Sequence, residues 1–152
     1  MTALLVVALL AAPPVAAPGA AAFERVKKLE GNWKSKDGST LSVRVTASGT
    51  AVVGSLTGGD HALVSVTVFR VEAGELQAAF DGRGHGALRH QSATEQVVRL
   101  EARPDGAKAP VMTLSLAIKD AENFTWSVTT RTGPKDEEES IDFTREYVET
   151  LK

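Results

Sequence analysis

The chain has 152 residues, carries 17 basic and 19 acidic side chains for a net charge of −2, and contains no cysteine. That length suits one domain, and with no basic surplus to compete for phosphates nucleic acid is not an expected partner. The missing cysteine removes disulfides, thiolate catalysis, Cys-based zinc sites and a lipid-modified N-terminal cysteine.

The first 22 residues, MTALLVVALLAAPPVAAPGAAA, contain no charged side chain. Their apolar core has signal-peptide length, and Ala20-Ala21-Ala22 fits a small-residue cleavage site. No Lys or Arg follows Met1, so only the terminal amine supplies positive charge. The run is too short and too Pro-broken for a bilayer span, which needs about 20 apolar residues. Residues 1–22 are therefore expected to be a signal peptide, with Phe23 as the mature start. The expected product is one exported domain, residues 23–152, in the periplasm or outside the cell. It is expected to be a monomer with no membrane span.

From Phe23 the chain divides into two regimes. Phe23, Val26 and Leu29 recur at helical spacing among charged residues, which predicts one or two helical turns ended by Gly31. Everything afterwards alternates with period two. TLSVRVTAS sets Leu41, Val43 and Val45 against Ser42, Arg44 and Thr46, between the turn signals Asp37-Gly38 and Ser48-Gly49. TAVVGSLTG follows. HALVSVTVFRVEAG puts Val64, Val66 and Val68 on one face, opposite Leu63, Phe69 and Val71 with Ser65 and Thr67 between. ELQAAFDGRG aligns Leu76, Ala78 and Phe80. EQVVRLEARPDG aligns Val98, Leu100 and Ala102. VMTLSLAIKDAEN aligns Met112, Leu114, Leu116 and Ile118. FTWSVTTRTG aligns Phe124, Trp126 and Val128, and ESIDFTREYVE aligns Ile141, Phe143, Arg145 and Tyr147. Sequential hairpins at this spacing predict an all-β, eight- to nine-stranded antiparallel up-and-down barrel. Closure also removes aggregation-prone edges. An eight-stranded interior is filled by side chains or holds one small ligand.

A short helical turn, then Gly31-Asn32-Trp33, then an antiparallel meander resembles the lipocalin-like (calycin) barrels. The segment FERVKKLEGNW is similar to the opening of small exported bacterial lipocalin-like proteins of unassigned function. The resemblance implies that Trp33 closes the bottom of the barrel and that an arginine from the last strand crosses its ring. Arg145 has the parity for that position. Inward and unpaired it is costly, and stacking on Trp33 offsets about 1–2 kcal/mol of that cost. Gly31, Trp33 and Arg145 are the expected closure residues.

Chemistry beyond binding finds little support. DGRGHGALRH alternates glycine with Asp81, Arg83 and His85, and reads as a glycine-rich hairpin or bulged strand. The alternatives are a gating loop or an anion nest, but the glycines match neither a P-loop nor a dinucleotide fingerprint. His85 and His90 fall on opposite faces of one strand, so a metal site requires His61 and a carboxylate to converge with them, and no metal is expected. Haem-binding barrels related in fold use one axial histidine in the last strands, where this chain has none. No Gly-x-Ser-x-Gly is present. KDEEES, Lys135–Ser140, reads as a solvated hairpin loop without calcium-loop spacing. The expectation is a non-enzymatic barrel without a cofactor that binds a small apolar ligand. Its expected pocket residues are Val43, Phe69, Phe80, Leu114, Trp126 and Phe143. The alternatives are a filled barrel acting through its surface in protein interaction or envelope maintenance, then a haem-binding barrel or an enzyme.

Overall fold

The computed structural model describes residues 17–60, 62–82, 84–94 and 96–147. Helix α1 (Pro18–Lys27) precedes ten strands: β1 (Gly31–Ser35), β2 (Thr40–Val45), β3 (Ala51–Thr57), β4 (Leu63–Glu72), β5 (Glu75–Gly82), β6 (Gly84–Ala93), β7 (Val97–Ala102), β8 (Met112–Ile118), β9 (Asn123–Thr132) and β10 (Lys135–Glu146). Each strand pairs antiparallel with its neighbour in sequence. β1 pairs with both β2 and β10, so the sheet closes as an up-and-down barrel. The described residues contain no helix long and apolar enough to cross a membrane.

The barrel has ten strands, not eight to nine. The additions are β1, which carries the Gly-Asn-Trp motif, and β6. In β6 the residues Gly84 and Gly86 share the parity of Leu88, so the apolar alternation that marks a strand starts only at Leu88. His85 and His90 do lie on opposite faces of β6. His85 is exposed beside Asp81, and His90 lies opposite Leu100 of the inward row. His61 lies outside the described residues.

Strand parity otherwise sets the core, since successive side chains point to opposite faces. Leu41 and Val43 (β2), Val98 and Leu100 (β7) and Leu114 and Leu116 (β8) are all buried. β4 turns inward the face that carries Phe69. Its buried row is Ser65, Thr67 and Phe69, while Val66 and Val68 face outward and are half-buried. The register shift at Leu56/Thr57 sets Leu63, not Val64, opposite Thr57. β10 differs from expectation, because Lys135–Ser140 is strand and not loop. Its residues pair with Thr132–Ser127 of β9, and Arg131 grips Asp136 with a 2.9 Å hydrogen bond across the ladder. Tyr147 follows the strand and is 69 % exposed.

α1 lies across the end of the barrel formed by the β4–β5 turn, packed on β4, β5, β6 and β7. Proline opens it, as suits a position whose N–H has no helical partner. It starts five residues before Phe23 and buries Gly19, Ala22, Phe23 and Val26. Gly19 allows the closest approach in this contact. A Cβ there would lie 2.4 Å from the Gly74 carbonyl oxygen and 2.5 Å from the Leu76 nitrogen. Ala20–Ala22 are thus part of a packed helix, and cleavage after Ala22 would remove its first half.

Candidate functional site

The two ends of the barrel are built differently. At the α1 end, Trp33 and Arg145 are directly paired residues of β1 and β10. Trp33 is fully buried and donates its ring N–H to the Leu29 carbonyl at 2.7 Å. It meets Phe124 edge-on at 4.7 Å, and Phe124 stacks on Phe143 at 5.5 Å. The Arg145 guanidinium lies 4.3 Å from the Trp33 ring centroid. It also donates to the carbonyls of Ala121 (2.9 Å), Glu30 (2.8 Å) and Lys28 (3.2 Å). One side chain thereby ties the linker after α1 and the β8–β9 turn to the barrel. Gly31 has φ 144°, and a Cβ there would lie 2.7 Å from the Arg145 Nη1, so the guanidinium occupies the space that glycine leaves. Gly31, Trp33 and Arg145 are brought together, and Trp33, Phe124 and Phe143 are buried against one another there.

The opposite end holds a cavity of about 170 Å³. Leu56, Phe80, Trp126, Val128 and Ile141 provide its apolar wall, with Val64 at the edge. Ser65 and Thr130 contribute hydroxyls, and Glu137, Glu138 and Glu139 border it on one side. The opening follows from strand lengths. β1 pairs with β10 only from Ser35↔Phe143 to Asn32↔Glu146. Toward the mouth, Lys135–Asp142 pair with β9 alone among the described strands, so the wall there is split. Glu137 and Glu139 share the inward parity of Ile141 and Phe143, and they stand at the rim of this split.

Of the six expected pocket residues, Phe80 and Trp126 line the cavity. Val43, Phe69 and Phe143 have the same inward parity but lie toward the α1 end, and Leu114 pairs with the cavity-lining Val128 without lining the cavity itself. Phe69 meets the Trp126 ring edge-on at 6.4 Å. Parity alone could not assign depth. The rim glutamates were hidden because consecutive acids look like a solvated loop.

The inward row of β4 beside the cavity is polar. Ser65 is 5 % exposed, and Thr67, the next inward residue of β4, is fully buried. Thr67 Oγ1 has no hydrogen-bond partner among the described residues. Thr67 pairs with Phe80 and Gly54, beside the Trp126 ring.

No three His, Asp or Glu side chains among the described residues are placed to hold a metal ion. Neither His85 nor His90 borders the cavity. The carboxylates held below their ordinary range sit on turns and on the outer face. The Ser35 hydroxyl and then the Ser39 N–H hold Asp37 down. The Glu122 N–H and the Asn123 amide act on Asp120, Arg131 acts on Asp136, and the Thr125 hydroxyl followed by Lys119 acts on Asp142. None of these four borders the cavity. Its distinctive chemistry is an aromatic wall, buried hydroxyls and an acidic rim.

The closed antiparallel barrel is compatible with a calycin-like fold, although its strand number departs from the eight of the lipocalins. No protein-family model matches the chain, and no curated protein is detectably similar to it.

Proposed function

We propose that this chain is an exported, lipocalin-like β-barrel that binds a small, largely apolar molecule at its open end. The observation that carries this reading is the cavity of about 170 Å³ walled by Trp126, Phe80 and Leu56 in a barrel that is otherwise filled. A dry cavity of ~150 Å³ is enough to hold benzene. Pockets for drug-sized ligands start near ~300 Å³. The ligand class is therefore a body of about six carbons rather than a long acyl chain or a haem. Gly31, Trp33 and Arg145 take the structural role of sealing the other end. The uncharged N-terminal run supports export, and the packing of α1 from Gly19 onward favours processing upstream of Pro18. No catalytic role is proposed.

Thermal melting with hexanol, benzene and a long-chain fatty acid tests the reading. At tenfold excess over Kd, a bound ligand adds about 1.4 kcal/mol, a rise of about 5 °C for a domain of this size. Hexanol or benzene should give that rise and the fatty acid should not. No shift with either small compound would overturn the proposal.

A second reading rests on the outer face. Val53, Val68, Ala79 and Ala87 form one cross-strand row over β3–β6, and such a row suits protein interaction. A barrel that captured a partner through this row, and whose melting hexanol left unchanged, would replace the first reading with the second.

A further inference from the structure

The rim of the cavity carries three carboxylates and, among the described residues, no Lys, Arg or His. We propose that the cavity selects organic cations: a small ammonium whose apolar body enters between Phe80 and Trp126 while its positive head stays at Glu137 and Glu139. This inference rests on the reading of the open end as a binding site, and it names the class of molecule bound there.

Several independent features converge on it. Same-face residues two apart on a strand are separated by ~7 Å, so Glu137 and Glu139 can flank one ammonium between them. None of Glu137, Glu138 and Glu139 forms an ion pair with a described residue, although nearby Asp136 is held by Arg131. Three adjacent carboxylates with no counter-charge among the described residues repel each other, and a bound cation relieves that repulsion. Behind the rim the wall is apolar and aromatic, which a hydrated metal ion would not use. Trp126 lines the cavity, and an indole ring offers cation–π attraction to an ammonium that comes over its face. Ser65 and Thr130 line the cavity with hydroxyls. A ligand with a second polar group would find partners in these hydroxyls. Finally, the free edge of β10 leaves a lateral route for a headgroup to remain in water while its body is buried.

The test uses three six-carbon probes with one body and different heads: hexylammonium, hexanol and hexanoate. Binding to the purified chain is measured by calorimetry at low salt, where surface charge is least screened. Hexylammonium should bind about tenfold more tightly than hexanol, and hexanoate should bind most weakly. Raising the salt should shrink the gap. The double substitution E137Q/E139Q should bring hexylammonium to the affinity of hexanol and leave hexanol unchanged. Equal binding of all three heads would overturn the cation preference and leave the apolar cavity standing. Failure of all three, hexanol included, would overturn both. A melting curve like that of the unsubstituted chain establishes that the double variant folds, and the head-group series needs no variant.

Discussion

Arg145 offers the sharpest test of how the sealed end is held. Arg145→Ala removes a guanidinium that stacks on Trp33 at 4.3 Å and reaches three carbonyls on two separate segments. The stacking is worth about 1–2 kcal/mol when desolvated. Hydrogen bonds from a charged donor are worth about 1.5–3 kcal/mol each. These carbonyls lie near the surface, so water replaces much of that, and the three together add about 1–2 kcal/mol. The expected loss is about 3 kcal/mol. For a domain of this size a urea m-value of about 2 kcal/mol per M converts it to a midpoint lower by about 1.5 M. Arg145→Lys keeps the charge, but one ammonium cannot span all three carbonyls, and it should recover less than half. Trp33→Ala, which also opens a cavity, should cost about 3 kcal/mol or more. In a double-mutant cycle the pair should couple by at least about 1 kcal/mol, as contacting residues do. The reasoning fails if Arg145→Ala unfolds at the wild-type midpoint with an unchanged m-value.

Gly19→Ala sets two effects against each other. Helix propensity alone would stabilise by about 1 kcal/mol, but the new Cβ meets Gly74 and Leu76 backbone at 2.4 and 2.5 Å. The clash should win, at a cost of about 1–3 kcal/mol, and a raised melting temperature would show that α1 does not pack this closely. A chain starting at Phe23 should melt below one starting at Pro18, since it lacks buried Gly19 and Ala22; equal melting would show that the first half of α1 contributes nothing. Stability should also fall in acid. Asp37, Asp120, Asp136 and Asp142 are held below their unfolded value of 3.8. Below that value the unfolded state takes up protons first, so their contribution, complete above it, is lost as pH drops through the lower folded values. Denaturation from pH 6 to pH 2 checks this, and a flat profile would contradict it.

The alternation of Leu41 and Val43, or of Leu114 and Leu116, reveals a barrel because a buried inner face imposes period two whatever the neighbours are. β6 escapes that signal because its inward positions begin with glycine, which has no side chain to show the period. In β4 the inward face is the one that carries Phe69, although it also holds Ser65 and Thr67 and the valines lie outside. Only the pairing of β4 with β3 and β5 decides which face turns inward. The Trp33–Arg145 pairing was legible because the Gly31-Asn32-Trp33 resemblance implies an arginine from the last strand and Arg145 has the inward parity there. Cavity depth was not legible. It depends on where β1 stops pairing with β10, and no local pattern encodes that. The acidic run was misread for the same reason, since its strand character comes from β9 and its place at the rim from the split beside it.

The central claim is that the open end binds a small molecule inside the barrel. A methyl NMR titration of the purified chain with hexanol tests it most directly. Saturable shifts should appear at Leu56, Val128 and Ile141, which line the cavity, while Val26, Val43 and Leu76, buried toward the α1 end, stay still. Shifts centred on Val53 and Val68 of the outer row, or none up to the solubility limit of hexanol, would contradict it.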